Sequence, residues 1–174
     1  PAEVTALPKF STYPMAHEQI AALQPQLILA TDQINKPTDA EVLAAVGIPT
    51  AFLSFKTLDD VSRAARKMGD WIGVEATAAA FADAFDAQLA AAASRTDTIA
   101  ARPSVLMLIG EQPLYSFGKG SYIQTLVSLA GGTSITADLP TANPILSAEF
   151  VLTEPPDVIV MSARPPYDLA ALLT

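Results

Sequence analysis

A short pattern occurs twice in this chain, and it constrains the fold more than any other feature of the sequence. In each copy a glutamate leads a short helical segment, a proline follows seven residues later, and an apolar strand-like run comes after the proline. The first copy spans residues 18–30 and begins at Glu18; the second spans residues 149–161 and begins at Glu149. A duplicated helix–strand unit predicts two lobes of similar design.

Apolar runs alternate along the chain with segments of helical composition, separated by proline and glycine. This alternation predicts an α/β fold with mainly parallel sheets. The apolar runs lack polar alternation, which is typical of parallel strands that are buried on both faces. They lie at residues 27–30, 50–53, 105–109 and 158–161. Helices are predicted over residues 39–46 and 121–130, because each of these segments is followed by glycine that can end a helix in the left-handed conformation.

The middle of the chain, residues 57–89, has helical composition that is broken only by two glycines. Its first four residues, Thr57 to Asp60, resemble a capping box with aspartate in the usual place of glutamate or glutamine. Apolar residues then recur at intervals of three and four, which predicts one buried stripe with Trp71 packing beside it. The stripe consists of Leu58, Val61, Ala65, Met68 and Ile72.

After Gly73 a second, alanine-rich helix is predicted from about residue 75 to residue 93, with Phe81, Phe85 and Leu89 as its packing stripe. At 1.5 Å per residue this helix is about 30 Å long, enough to join two lobes. The predicted organisation is therefore a partial first lobe over residues 1–73, a bridging helix over 74–101 and a partial second lobe over 102–174.

The two halves of the chain differ in what precedes the repeated unit. In the second half a strand, a loop and a helix come first, whereas the first half lacks this strand–helix unit. We therefore expect a fragment of a longer protein, which leaves apolar surface and a sheet edge exposed. Such an edge favours self-association, so a homodimer is one expected state.

Composition narrows the class of function. The net charge of −8 repels phosphate backbones and anionic membranes, so no nucleic-acid partner is expected. The absence of cysteine and the presence of a single histidine, His17, argue against a metal centre, a resident cofactor or thiol chemistry. His17 is expected to be a solvated residue at a helix start. No apolar run approaches the roughly 20 residues of a membrane-spanning helix.

The loop at residues 110–121 follows a strand-like run and precedes a helix, where phosphate-binding loops occur. Its glycine spacing fits neither a Walker loop nor a dinucleotide signature. The plainer interpretation is a helix start with Ser121 as the N-cap residue. A loop that also contacts a ligand stays open as the alternative.

Glu18 and Glu149 are the only carboxylates that the repeat pairs. Two carboxylates do acid–base work in glycosidases, but these two belong to different lobes and should lie far apart, so no catalytic residue is predicted. Two interpretations of the pair stay open. Each glutamate interacts with the dipole of its own helix, or the two form matched surface charges that dock on a two-fold symmetric partner carrying arginine.

Five segments, taken in order, resemble the periplasmic substrate-binding proteins of ABC importers for cobalamin, ferric siderophores and haem. They are residues 7–10 with 18–30, residues 43–53, residues 57–73 with the alanine-rich helix, residues 113–135, and residues 145–161. The resemblance implies an α/β fold of two Rossmann-like lobes with mainly parallel sheets, joined by one long bridging helix and incomplete in this chain. It also implies a periplasmic or lipid-anchored location, a ligand bound between the lobes, and docking on a dimeric ABC permease through Glu18 and Glu149.

In this architecture the ligand is contacted by loops at the carboxyl ends of strands. The candidate contacts are Tyr13, Asp32, Gln33, Tyr115, Phe117, Asn143 and Arg164. Tyr13 lies near the position at which haem-binding members use a tyrosine as the iron ligand, but the adjoining arginine of their pattern is missing. The expected function is binding of a ferric siderophore or cobalamin without turnover. A haem receptor of the same family and a two-lobed enzyme such as a transferase are the alternatives.

Overall fold

The computed structural model describes residues 7–110 and 113–162 of the chain. The chain divides into two compact units, Pro1–Phe55 and Lys56–Thr174. The helices that follow Phe55 therefore group with the second unit. The predicted lobe boundaries at residues 73 and 101 stay a prediction.

The described part of the first unit, residues 7–55, is a small α/β layer with two parallel strands. Its elements, in chain order, are α1 (His17–Ala22), β1 (Ile28–Thr31), α2 (Pro37–Ala44) and β2 (Thr50–Leu53). β1 and β2 pair in parallel, with Ile28 opposite Thr50 and Thr31 opposite Leu53. The predicted strands at 27–30 and 50–53 and the predicted helix at 39–46 are thereby confirmed to within two residues at each end.

The core of the first unit joins its two helices to the segment that leads into β2. Ile20 of α1 and Leu43 of α2 are buried together with Ile48. α2 begins where it does because Pro37 supplies a preset backbone angle and Asp39 caps the first turn. The Asp39 Oδ2 atom accepts a hydrogen bond of 2.9 Å from the backbone N–H of Lys36.

In residues 56–110 and 113–162, the second unit opens with two packed helices and continues with five strands and two shorter helices. Its elements are α3 (Asp59–Ile72), α4 (Glu75–Thr96), β3 (Ser104–Leu108), β4 (Leu114–Tyr115), α5 (Tyr122–Leu129), β5 (Thr133–Ser134), β6 (Ile145–Leu146), α6 (Ala148–Thr153) and β7 (Val158–Met161). β5, β3 and β7 form a parallel sheet in that order, and β4 pairs antiparallel with β6. The long helix α4 has 22 residues, so it is about 33 Å long.

The start of α3 uses the carboxylate half of the predicted capping box. The Asp60 carboxylate accepts hydrogen bonds from the backbone N–H groups of Lys56 (2.9 Å) and Thr57 (2.8 Å). These bonds, led by the one from Thr57, hold the pKa of Asp60 below its usual value because they favour the charged form.

The predicted packing stripes of α3 and α4 are partly wrong. Phe81 is 55% exposed, and Trp71 and Ile72 are exposed as well, whereas Ala82 is fully buried. The reason is that the two helices approach each other through small residues. A Cβ atom placed on Gly69 would collide with the Cβ atom of Ala78, so large side chains have no room at this contact and lie outside it.

β7 is an edge strand, since it pairs only with β3 in the described sheet. At its start, Asp157 Oδ2 accepts hydrogen bonds from the N–H (2.7 Å) and the Oγ–H (2.8 Å) of Ser104 at the start of β3. Along its length Val158, Ile159 and Val160 are exposed. The expectation that this run is buried on both faces is therefore wrong for the described chain, because β7 is an edge strand there.

One face of β3 and β7 lines an apolar groove of about 370 Å³ beside α5.

The predicted self-association of the chain stays a prediction. No helix in the described part of the chain is both long enough and apolar enough to cross a bilayer.

Candidate functional site

In the first unit, Asp32 and Gln33 lie where the two parallel strands end. The backbone N–H of Asp32 donates to the carbonyl oxygen of Leu53, the last residue of β2, at 3.1 Å. The Gln33 side chain donates from Nε2 to the carbonyl oxygen of Phe55 at 2.8 Å. Both residues are exposed. Hydrogen bonds therefore join the carboxyl ends of β1 and β2, which lie at the same edge of the sheet as expected for neighbouring parallel strands.

Tyr13 belongs to a turn that is attached to the exit of β1. The attachment is made by Asn35, which is only 9% exposed and donates from Nδ2 to the carbonyl oxygen of Thr12 at 3.1 Å. The backbone N–H of Asn35 donates to the carbonyl oxygen of Thr31 at 3.0 Å. Tyr13 itself is 73% exposed. The structure thus brings Tyr13 to the same end of the sheet as Asp32, and we call Tyr13, Asp32 and Gln33 the first cluster.

Sequence reasoning missed Asn35. An asparagine that follows a strand by a few residues has the ordinary composition of a turn. What distinguishes Asn35 is a partner more than twenty residues away in the sequence, and no local pattern identifies such a partner.

In the second unit, Tyr115, Phe117 and Asn143 come together on two antiparallel segments, and we call them the second cluster. Tyr115 of β4 pairs with Ile145 of β6. The ladder continues beyond the strands, because Ser116 N–H donates to the Pro144 carbonyl and Gly118 N–H donates to the Ala142 carbonyl, both at 2.9 Å. Phe117 therefore lies opposite Asn143. Tyr115 and Asn143 are exposed.

Hydrogen bonds from buried or half-buried polar side chains hold the backbone of the second cluster in place. The Phe117 carbonyl oxygen accepts hydrogen bonds from Gln124 Nε2 (2.6 Å) and Thr136 Oγ1 (2.5 Å). The fully buried Ser116 donates from Oγ to the Met107 carbonyl oxygen at 2.7 Å. The Phe117 ring is half-buried against the core that contains Ile123. Ser116 and Thr136 carried no recognisable signal in the sequence, because their partners lie on other segments.

The loop at residues 113–121 ends as the plainer interpretation predicted. The Ser121 Oγ atom accepts a hydrogen bond from the N–H of Ile123 at 3.3 Å, which confirms Ser121 as the N-cap of α5. Gly118 lies so close to the facing segment that a Cβ atom would collide with the carbonyl oxygen of Thr141. The remaining predicted ligand contact, Arg164, lies outside the described residues.

Glu18 and Glu149 occupy the same place in their helices. Glu18 is exposed in the first turn of α1, and Glu149 is exposed in the first turn of α6. Each helix is followed by the strand that the repeat predicts, β1 in one unit and β7 in the other. The helix followed by a strand that the repeat predicts is therefore present in both compact units.

The expectation that His17 is a solvated residue is wrong. His17 lies beside Glu18, and its Nε2 atom makes a hydrogen bond of 3.1 Å to Asp39 Oδ1. The two side chains are only 31% and 21% exposed. A carboxylate oxygen only accepts hydrogen bonds, so His17 is the donor.

The two clusters offer rings, amides and a carboxylate rather than a metal-binding set. Within residues 7–110 and 113–162, no group of three or more His, Cys, Asp or Glu side chains is placed to hold a metal ion. Exposed tyrosine rings combine apolar area with a hydroxyl group, and an amide both donates and accepts hydrogen bonds. Groups of this kind hold a large ligand through shape and hydrogen bonding.

Comparison with known proteins gives a consistent result. Residues 3–171 match the periplasmic binding protein family. A vitamin B12-binding protein of Pectobacterium carotovorum subsp. carotovorum (strain PC1) is 32% identical to the chain over 149 residues, which are 85% of this chain and 54% of that protein. The chain thus spans about half the length of such curated relatives.

Solved structures are similar in fold. The periplasmic vitamin B12-binding protein BtuF of Vibrio cholerae has a TM-score of 0.70 at 26% identity, over 85% of this chain and 58% of that chain. The periplasmic heme-binding protein RhuT from Roseiflexus sp. RS-1, in apo form, has a TM-score of 0.75 at 25% identity, over 84% of this chain and 57% of that chain. The predicted α/β class with mainly parallel sheets is confirmed.

Proposed function

Because the chain belongs to the periplasmic binding protein family, whose match covers residues 3–171, we propose that it is part of the solute-binding component of an ABC importer. In this proposal the protein binds an iron- or cobalt-containing ligand, does no chemistry on it, and delivers it to a permease dimer. It works outside the cytoplasmic membrane, in the periplasm or held by a lipid anchor. The family match is the observation that carries the proposal.

We propose that the first and second clusters each contact the ligand. Their exposed groups suit a corrinoid, which presents a broad ring system with amide groups around its rim. The tyrosine rings of Tyr13 and Tyr115 can pack on such a ring system, and the Asn143 amide can pair with a rim amide. Relatives of the chain are named vitamin B12-binding and cobalamin-binding proteins, which favours cobalamin over a ferric siderophore.

Haem is the second candidate, and one observation favours it. Tyr13 is 73% exposed, and a tyrosine oxygen is a recognised axial ligand of haem iron. The heme-binding protein RhuT is about as similar in sequence to this chain as BtuF is. The Tyr13 oxygen distinguishes the two ligands, because only haem would need it as an iron ligand.

The test is a titration of the full-length protein with cyanocobalamin, haemin and a ferric hydroxamate siderophore. Visible absorption and equilibrium dialysis measure binding. We expect stoichiometric binding of cyanocobalamin that survives Tyr13→Phe. Haem binding that is lost in Tyr13→Phe makes the second candidate correct. Failure to bind any of the three probes, or chemical conversion of a bound probe, overturns the proposal of a binding protein.

We further propose that Glu18 and Glu149 are the docking acids for the permease. Each is exposed in the first turn of a short helix, and the repeat matches the two positions. Exposed charges of this kind orient an encounter and raise its rate, which also lowers the dissociation constant. An arginine-bearing surface on each subunit of a permease dimer is the complementary partner.

A further inference from the structure

The helix that carries Glu18 has no side-chain cap at its first turn. α1 has six residues, and its N-cap position is Ala16, which has no side chain able to accept a hydrogen bond from the first turn. A helix this short is marginal in water, because few hydrogen bonds offset the cost of starting it. Some contact outside α1 must therefore hold the turn from which Glu18 projects.

Besides the burial of Ile20 against Leu43, the contact nearest to Glu18 is the hydrogen bond from His17 to Asp39. The His17 Nε2 atom lies 3.1 Å from Asp39 Oδ1, and the other carboxylate oxygen of Asp39 accepts from the backbone N–H of Lys36 at 2.9 Å. Asp39 is thus locked into the first turn of α2. It gives His17 a fixed partner, and His17 is the residue next to Glu18 in the chain.

The first turn of α6, which carries Glu149, is stabilised by a different contact. At α6 the N-cap residue is Ser147, whose Oγ atom accepts a hydrogen bond from Phe150 N–H at 3.1 Å. In the repeat, Ser147 corresponds to Ala16, and Ala148 corresponds to His17. One acid is therefore supported by an ordinary helix cap, and the other by a histidine that bonds to a neighbouring helix.

We propose that His17 is a positioning residue for docking: through Asp39 it holds the first turn of α1 so that Glu18 meets an arginine-bearing permease surface. This inference rests on the docking role proposed for Glu18. The physical reason is that a turn already held in place loses less conformational freedom on binding, so more of the interaction energy becomes affinity. His17 itself does not contact the partner in this proposal.

The experiment measures docking of the full-length protein on a cobalamin-importer permease–ATPase complex from the same organism. The complex is held in nanodiscs, and surface plasmon resonance gives the dissociation constant without added ligand. His17→Ala should weaken docking about three- to tenfold, the range expected for the loss of one hydrogen bond of ordinary strength. His17→Gln should restore it, because its terminal amide reaches as far as Nε2. His17→Asn is polar but too short and should behave like His17→Ala.

A double-mutant cycle separates positioning from general stability. In a Glu18→Gln background, His17→Ala should cause no further loss, because its effect acts through Glu18. An equal loss in both backgrounds, or an equal loss in His17→Gln and His17→Ala, overturns the inference. Should thermal unfolding show that His17→Ala does not fold, His17→Gln and His17→Asn, compared alone and with Glu18→Gln, make the same distinction.

The two proposals fail in different ways. If Glu18→Gln leaves docking unchanged, the docking role of Glu18 is wrong. If Glu18→Gln weakens docking while His17→Ala does not, the docking role stands and only the positioning role of His17 is wrong.

Discussion

Phe117 and Asn143 lie opposite each other although they are separated by a helix and a strand in the sequence. The N–H groups of Ser116 and Gly118, on either side of Phe117, donate to the carbonyl oxygens of Pro144 and Ala142, on either side of Asn143, and both bonds are 2.9 Å long. This pairing turns two separate loops into one surface. It also makes the surface sensitive to any change that pushes the two segments apart.

Gly118→Ala is expected to destabilise the second unit. The added Cβ atom would collide with the Thr141 carbonyl oxygen, and relieving the collision separates the Phe117 and Asn143 segments. Overpacking of this kind costs about 1–3 kcal/mol. Urea unfolding measures the loss, and titration with cyanocobalamin measures the effect on binding. Gly110→Ala is the matched control, since its nearest contact would be an ordinary 3.8 Å. Equal stability of the two variants would contradict the close approach at Gly118.

Gly69→Ala should loosen the contact between α3 and α4. Its Cβ atom would meet that of Ala78, at a cost of about 1–3 kcal/mol in the free energy of unfolding. Ala78→Gly alone should cost about 1 kcal/mol through lower helix propensity. The double variant removes the collision and should be more stable than the sum of the single losses predicts. Purely additive losses in thermal or urea unfolding would show that the two residues do not meet.

Asp157 should make the second unit sensitive to acid. Hydrogen bonds from the N–H and the hydroxyl of Ser104 hold the pKa of Asp157 below its usual value. A carboxylate with a lowered folded-state pKa stabilises the protein fully above the unfolded value of about 3.9, and that stabilisation is lost as the pH falls through the folded value. Urea unfolding between neutral pH and about pH 2 should therefore show a smaller acid loss in Asp157→Asn than in the natural protein. Asp138→Asn is the control for an exposed aspartate, and identical pH profiles of all three proteins would refute the role of Asp157.

Glu18→Gln and Glu149→Gln should separate ligand binding from delivery. Neither residue belongs to the first or second cluster, so the affinity for cyanocobalamin should stay unchanged. Each single change should slow docking on the permease, and the double change should abolish ATP-coupled uptake into reconstituted vesicles, because the charges orient the encounter. The effect should shrink at high salt, which screens exposed charges. Glu154→Gln, at the far end of α6, is the matched control. Normal uptake by the double variant would remove the docking role.

The sequence predicted the regular elements well, because their signals are local. The strands at Thr50–Leu53 and Val158–Met161 end where the apolar runs end, and Ser121 caps α5 as its position suggested. The contact between α3 and α4 was predicted less well. Periodicity favours large apolar side chains such as Phe81 at a helix contact, but Gly69 and Ala78 meet there, since close approach of two backbones excludes bulky side chains.

In the candidate site, too, residues with a local signal were predicted and residues that act through long-range contacts were not. Pattern and resemblance selected Tyr13, Asp32 and Asn143 because each follows or precedes a recognisable element. The residues that hold the two clusters in place, Asn35 and Thr136, were missed, because a buried hydrogen bond to a carbonyl group on another segment leaves no trace in the local pattern.

The amino-acid order by itself determined the α/β class, the duplicated helix–strand unit and the first-turn positions of Glu18 and Glu149, because hydrophobic period, proline spacing and glycine act over a few residues. The cap that Ser147 gives to the helix of Glu149 is a local contact over three residues, whereas only the tertiary structure decided that His17 pairs with Asp39 beside Glu18. This pairing joins two helices through side chains far apart in sequence. Its existence depends on how the helices pack, and that packing is a property of the whole unit.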